Sequence, residues 1–119
     1  MTMLIRPEDI ALAHRLADAA RDAIRPHFRT PVDATRKGDA TPVTVADHAA
    51  EEAMRRILTA EVPQDGVHGE EFGGTEGRSG RQWVLDPIDG TRSFTVGRAI
   101  FGTLIALVED GWPVLGIID

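Results

Sequence analysis

The stretch Trp83-Val84-Leu85-Asp86-Pro87-Ile88-Asp89-Gly90-Thr91 decides how this chain is read. An apolar run from Trp83 to Leu85 precedes two carboxylates three positions apart, with Pro87 between them and Gly90-Thr91 behind. The run predicts a short buried strand, and Asp86-Pro87 predicts its end. Pro87 has no N–H to donate and biases Asp86 towards an extended conformation. Gly90 permits a tight backbone path, so Asp86 and Asp89 can turn back towards one point, joined by the backbone carbonyl of Ile88. An oxygen-rich strand end of this kind suits a hard divalent cation. Taken alone, Asp-Pro-x-Asp-Gly is also an ordinary polar turn, so the flanking sequence carries the decision.

Downstream, Thr91 to Phe94 can start a short helix whose N–H groups point at an anion. Residues 100–108 and 112–118 predict two strands joined by a hairpin turn at Glu109-Asp110-Gly111. Upstream, Gly66-Val67-His68-Gly69 predicts a short strand leading to Glu70-Glu71. Residues 73–81 are Gly-rich and predict a mobile surface loop that orders with substrate; no Gly-Lys-Ser/Thr follows, so it is not a P-loop. Thr44-Val45-Ala46-Asp47 predicts a helix start, with Thr44 as N-cap and Asp47 at the reciprocal capping position. Ala46, Ala49, Ala50, Ala53, Met54, Ile57 and Leu58 continue its apolar face until Val62-Pro63 ends it. Capping alone would account for Asp47. Residues 30–42 read as loop and contain Lys37, by default a solvated charge. Residues 7–28 predict an amphipathic scaffold helix: Pro7 suits the first position, and Glu8 and Asp9 suit the first turn. Its apolar face is Ile10, Ala13, Leu16, Ala17, Ala20, Ile24 and Phe28, with Pro26 fraying the end.

Composition narrows the class. The chain has 119 residues, 42% of them hydrophobic, which predicts one globular domain with a core. Thirteen basic against nineteen acidic residues give a net charge of −6, unlike the basic face of a nucleic-acid binder. There is no cysteine, which excludes disulfides, thiolate metal sites and a thiol nucleophile. No apolar run is long enough to span a membrane and no signal-peptide layout appears, so a cytoplasmic protein is expected. The four histidines lack paired metal-ligand spacing, and no G-x-S-x-G elbow is present.

Asp86-Pro87-Ile88-Asp89-Gly90-Thr91 followed by Phe94, with Gly69-Glu70-Glu71 and Val43-Thr44-Val45-Ala46-Asp47 upstream, resembles the inositol monophosphatase-like family of magnesium-dependent phosphatases. The resemblance runs from about Lys37 to the end of the chain. Asp89 to Phe94, and less specifically Gly102 to Leu107 and Pro113 to Asp119, look most like its histidinol-phosphate phosphatase branch. Ser93 stands where many members have Asn, and Arg92 is unusual for the inositol-specific branch. The resemblance implies an α+β fold: the N-terminal part of a layered α/β/α/β/α sandwich, with two helices packed on a mostly antiparallel sheet. Residues 1–119 would form its metal-binding domain. Family members are considerably longer, and their second half brings a further metal-binding aspartate and most of the substrate pocket.

The resemblance also implies roles. Glu70, Asp86 and the Ile88 carbonyl would hold a first Mg²⁺; Asp86 and Asp89 would hold a second, within a set of two or three ions. Glu70 and Thr91 would orient the attacking water, with Asp47 holding the Thr91 hydroxyl. The N–H groups of Gly90 and Thr91 would meet the phosphate. Lys37, Glu71 and Arg92 are further candidates at the site mouth or around the ligands. Without metal, such clustered acids should raise one another's pKa values. The expected activity is hydrolysis of histidinol phosphate in histidine biosynthesis, by a homodimer in its full-length form. The alternatives are an inositol or nucleotide phosphate as substrate, or a metal-binding fragment without turnover.

Overall fold

A computed structural model describes residues 5–27, 42–89 and 102–119. Helix α1 spans Pro7–Ile24 and runs into a 3-10 turn, Arg25–His27; helix α2 spans Pro42–Glu61. Five strands follow: β1 Gly66–Gly69, β2 Gly73–Thr75, β3 Arg81–Asp89, β4 Gly102–Glu109 and β5 Trp112–Ile118. They form one sheet in the order β2-β1-β3-β4-β5. Among the described residues, only β1 and β3 pair in parallel; the other neighbours are antiparallel. The expected two helices on a mostly antiparallel sheet are observed.

Helix α1 begins where Pro7 predicts, and the Arg6 backbone N–H donates to the Asp9 carboxylate at 2.9 Å. Its buried stripe is Leu12, Ala13, Leu16, Ala17, Ala20 and Ile24. Ile10, expected on that stripe, is 43% exposed. The α-helix stops at Ile24 because Pro26 cannot supply an N–H, and Phe28 lies outside the described residues. Helix α2 contributes Ala46, Ala50, Met54 and Leu58, each a little over one turn from the last. It starts at Pro42, so Thr44 is already helical and not the N-cap. Proline at the first helical position loses nothing by lacking an N–H, and it moves the start upstream. Asp47 is thereby released from the capping position and sits in the second turn.

Both helices cover one face of the sheet. Trp83, Leu85, Ile105 and Leu107 alternate along β3 and β4 and join the helix stripes in a single core. Val84, Asp86, Leu104 and Ala106 point the other way, and with Gly116 and Ile118 they line an open groove of about 720 Å³. The turn between β4 and β5 has positive φ at both Asp110 (50°) and Gly111 (85°), the primed geometry that matches strand twist.

Two expectations about the sheet need correction. Residues 73–81 are not all loop, because Gly73–Thr75 pairs with β1 and Arg81 already begins β3. Nor does β3 stop at Asp86-Pro87. It continues to Asp89 through a bulge: Asp86 lies opposite Leu104 but Asp89 lies opposite Gly102, three steps against two. Pro87 fits there because a bulge excuses its missing N–H, and its carbonyl accepts the Thr103 hydroxyl at 2.8 Å.

At the other end of β3, Arg81 is only 11% exposed and faces three acids. Its guanidinium donates to Asp9 at 2.6 Å and to Glu109 at 2.8 Å, and lies 3.8 Å from Asp65. Asp65 itself accepts the Trp83 indole N–H at 3.0 Å and the Ser79 hydroxyl at 2.7 Å. Burial pushes the Asp9 carboxyl up, but the Arg6 N–H and the Arg81 and Arg6 guanidiniums outweigh it and hold it below the usual range. Removing the cation would leave buried carboxylates facing one another. Arg81→Met is expected to cost about 3 kcal/mol in urea denaturation of the full-length protein; a loss below about 1 kcal/mol would show that the cluster is solvated.

Candidate active site

The parallel pair is what assembles the site. Gly69 lies opposite Leu85 in the β1–β3 register, so Glu70, just past the end of β1, comes beside Asp86, which is still paired within β3 ahead of its bulge. In sheets with parallel pairs this edge is where ligands bind. Helix α2 brings Asp47 to the same place. Its half-buried carboxyl is pushed up to about 7, first by burial and then by the negative charges of Glu71, Asp86, Glu70 and Glu51. Carboxylates from α2, from the end of β1 and from β3 therefore share one electrostatic field, as expected for clustered acids.

The Glu71 carboxylate lies 2.9 Å from His48 Nε2, and the His48 ring lies tilted against Phe72 with centroids 5.2 Å apart. Glu51, unremarked in the sequence, is fully buried beneath the same turn. Its carboxylate accepts the backbone N–H of Glu71 at 2.9 Å and that of Phe72 at 3.0 Å. Arg55 Nε donates to it at 2.9 Å, and the same guanidinium reaches the Gly73 carbonyl. A side chain at Gly69 would collide with that carboxylate, which accounts for glycine at this position. The signal available for Glu51 was an i,i+4 Glu–Arg pair beside the apolar stripe, a pattern usually found on solvated faces.

The structure brings Asp47, Glu70, Glu71 and Asp86 together. Ile88 has its side chain in the core, 3% exposed. Lys37, Gly90, Thr91, Arg92 and the Asp89 side chain lie outside the described residues, as does the expected Asp47–Thr91 hydrogen bond. Among the described residues no three acidic or histidine side chains stand close enough to hold an ion by themselves. The donor set nevertheless fits a hard cation, since it is carboxylate oxygen throughout and its mutual repulsion is what a bound cation relieves. Among the described residues no helix is long and apolar enough to cross a membrane, which leaves β-barrels unaddressed.

A sequence model of the inositol monophosphatase family matches residues 6–119. The chain is 49% identical to the chloroplastic bifunctional phosphatase IMPL2 of Arabidopsis thaliana, over 92% of this chain and 32% of that protein. It is 46% identical to the histidinol-phosphatase of Mycobacterium tuberculosis, over 94% of this chain and 44% of that protein. Among solved structures, an inositol monophosphatase from Zymomonas mobilis superposes with a TM-score of 0.85 at 59% identity, covering 98% of this chain and 45% of that one. The chain thus spans 32% to 45% of the length of these relatives.

Proposed function

The chain belongs to the inositol monophosphatase family, and from that premise we propose that the full-length protein hydrolyses a phosphate monoester with Mg²⁺, most specifically histidinol phosphate. Members of the family are metal-dependent, typically on Mg²⁺. The observation that carries the reading is the shared field of Asp47, Glu70, Glu71 and Asp86 where β1 ends beside β3. In the proposal, residues 1–119 form the metal-binding N-terminal domain of a homodimeric cytoplasmic enzyme.

Glu70, Asp86, Asp89 and the Ile88 carbonyl would hold the ions. When bound, Mg²⁺ supplies charge neutralisation for the phosphate oxygens and acidifies a water. The remaining tasks belong to the chain. Glu70 and the Thr91 hydroxyl would orient the attacking water, and Asp47 would fix the Thr91 hydroxyl by accepting its hydrogen bond. Gly90 and Thr91 offer backbone N–H groups to the phosphate, while Lys37 and Arg92 contribute positive charge at the mouth. Phosphoryl transfer needs little more than this, because positioning and electrostatics do most of the work.

The substrate assignment is supported by the histidinol-phosphatase relative and by Arg92-Ser93 after the Asp-Gly-Thr turn. The Zymomonas mobilis likeness favours a second reading, an inositol monophosphatase. Phosphate release measured with histidinol phosphate, inositol phosphate and adenosine bisphosphate separates them. We expect kcat/KM for histidinol phosphate to exceed the others by at least about tenfold; a preference for inositol phosphate would make the second reading the right one.

A further inference from the structure

We infer that Glu51 is a positioning residue that fixes the Glu70–Phe72 turn for metal binding, an inference that rests on the metal-dependent reading above. Strand pairing leaves this turn without a ladder. The β1–β3 register ends at Gly69 opposite Leu85, and β2 begins only at Gly73. Residues 70–72 lie between, and Glu70 is exposed. The Glu51 carboxylate takes over where the sheet stops, accepting the two consecutive N–H groups of Glu71 and Phe72 on its two oxygens. Arg55 closes the far side by bridging Glu51 to the Gly73 carbonyl. Gly69 closes the near side, since the absence of a side chain lets the carboxylate sit against the backbone.

Packing alone does not call for a carboxylate here. Ala46, Ala50, Met54 and Leu58 already attach α2 to the core, and burying an acid is costly unless it is fully paired. What the acid adds is a rigid seat for the two peptide bonds that flank Glu71, the first of which joins it to Glu70. A ligand carboxylate held by such outer contacts keeps its orientation, and loss of those contacts typically weakens metal affinity.

The test uses the full-length protein and Mn²⁺ as the probe, with affinity read by electron paramagnetic resonance and backbone amide exchange read without metal. Glu51→Gln is expected to weaken Mn²⁺ binding by about 10- to 100-fold and to speed exchange at Glu71 and Phe72. Glu51→Asp should restore part of the affinity. Leu16→Ala, buried in the core away from the turn, should lower stability and leave Mn²⁺ affinity unchanged. A folded Glu51→Gln protein with wild-type affinity, or unprotected Glu71 and Phe72 amides in the wild type, overturns the inference. If Glu51→Gln does not fold, Arg55→Gln is read by the same two criteria. Protected amides with no Mn²⁺ binding in the wild type would instead overturn the metal-dependent reading, and the role of Glu51 towards a metal with it.

Discussion

Asp86→Asn in the full-length protein is expected to lower Mg²⁺-dependent phosphate release by more than about 100-fold. Disturbing residues that merely orient ligands costs 10- to 100-fold, and a ligand that carries charge should cost more. Asn keeps the shape and one oxygen of Asp86 but removes a negative charge from the place where β1 ends beside β3. The side chain points away from the core formed by Trp83 and Leu85, so the fold should survive. Circular dichroism and melting temperature check that point, and phosphate release from histidinol phosphate reads the effect. Activity above about a tenth of wild type would remove Asp86 from the proposed ligand set.

The second large effect is on stability, and its sign follows from Asp47. The folded carboxyl titrates near 7 against an ordinary value of 3.8. Between those values the folded state holds a proton that the unfolded chain has released, so folding grows less favourable as pH rises through this window. Stability contributed by that proton is complete below 3.8 and lost above about 7. In EDTA, melting temperature should therefore fall between about pH 5 and pH 8, and Asp47→Asn should flatten the slope. The lowered Asp9 carboxyl does not enter, because both conditions lie above its titration. Mg²⁺ should reverse the loss, adding about 2.7 kcal/mol at a hundred times its dissociation constant. A Mg²⁺ shift no larger at pH 8 than at pH 5 would mean that the ion binds somewhere other than beside Asp47.

How far the sequence could be read depended on the range of each interaction. Helix α1, helix α2 and the β4–β5 hairpin were legible because periodicity, Pro7, Val62-Pro63 and Asp110-Gly111 act locally. The placement of acids around Asp86 was legible as a pattern of short segments. The course of β3 was not. Pro87 reads as a strand breaker until it is known that a bulge against β4 can absorb it and that the Thr103 hydroxyl donates to its carbonyl. The start of α2 was misplaced because Thr44 offered a plausible cap two residues beyond Pro42. Arg81 and Asp9 stand 72 positions apart, and Glu51 meets Glu71 and Phe72 across 20 and 21. No spacing rule in a single chain joins residues that distant. The roles of Gly90, Thr91, Arg92 and Lys37 remain proposals carried by the motif.

Strand β3 has opposite electrical characters at Arg81 and at Asp86. At Arg81 the acids Asp9, Glu109 and Asp65 already surround a guanidinium, and elsewhere Glu61, Asp119 and Glu52 are matched with Arg15, Arg21 and Arg56. Around Asp86, burial and then the neighbouring negative charges raise the Asp47 carboxyl to about 7. A chain with a net charge of −6 would otherwise scatter divalent ions thinly over its surface. Here the arginines act as resident competitors, occupying the acids that are not wanted. Among the described residues, the contrast between the paired acids around Arg81 and the crowded acids around Asp86 would favour an arriving cation at the second group.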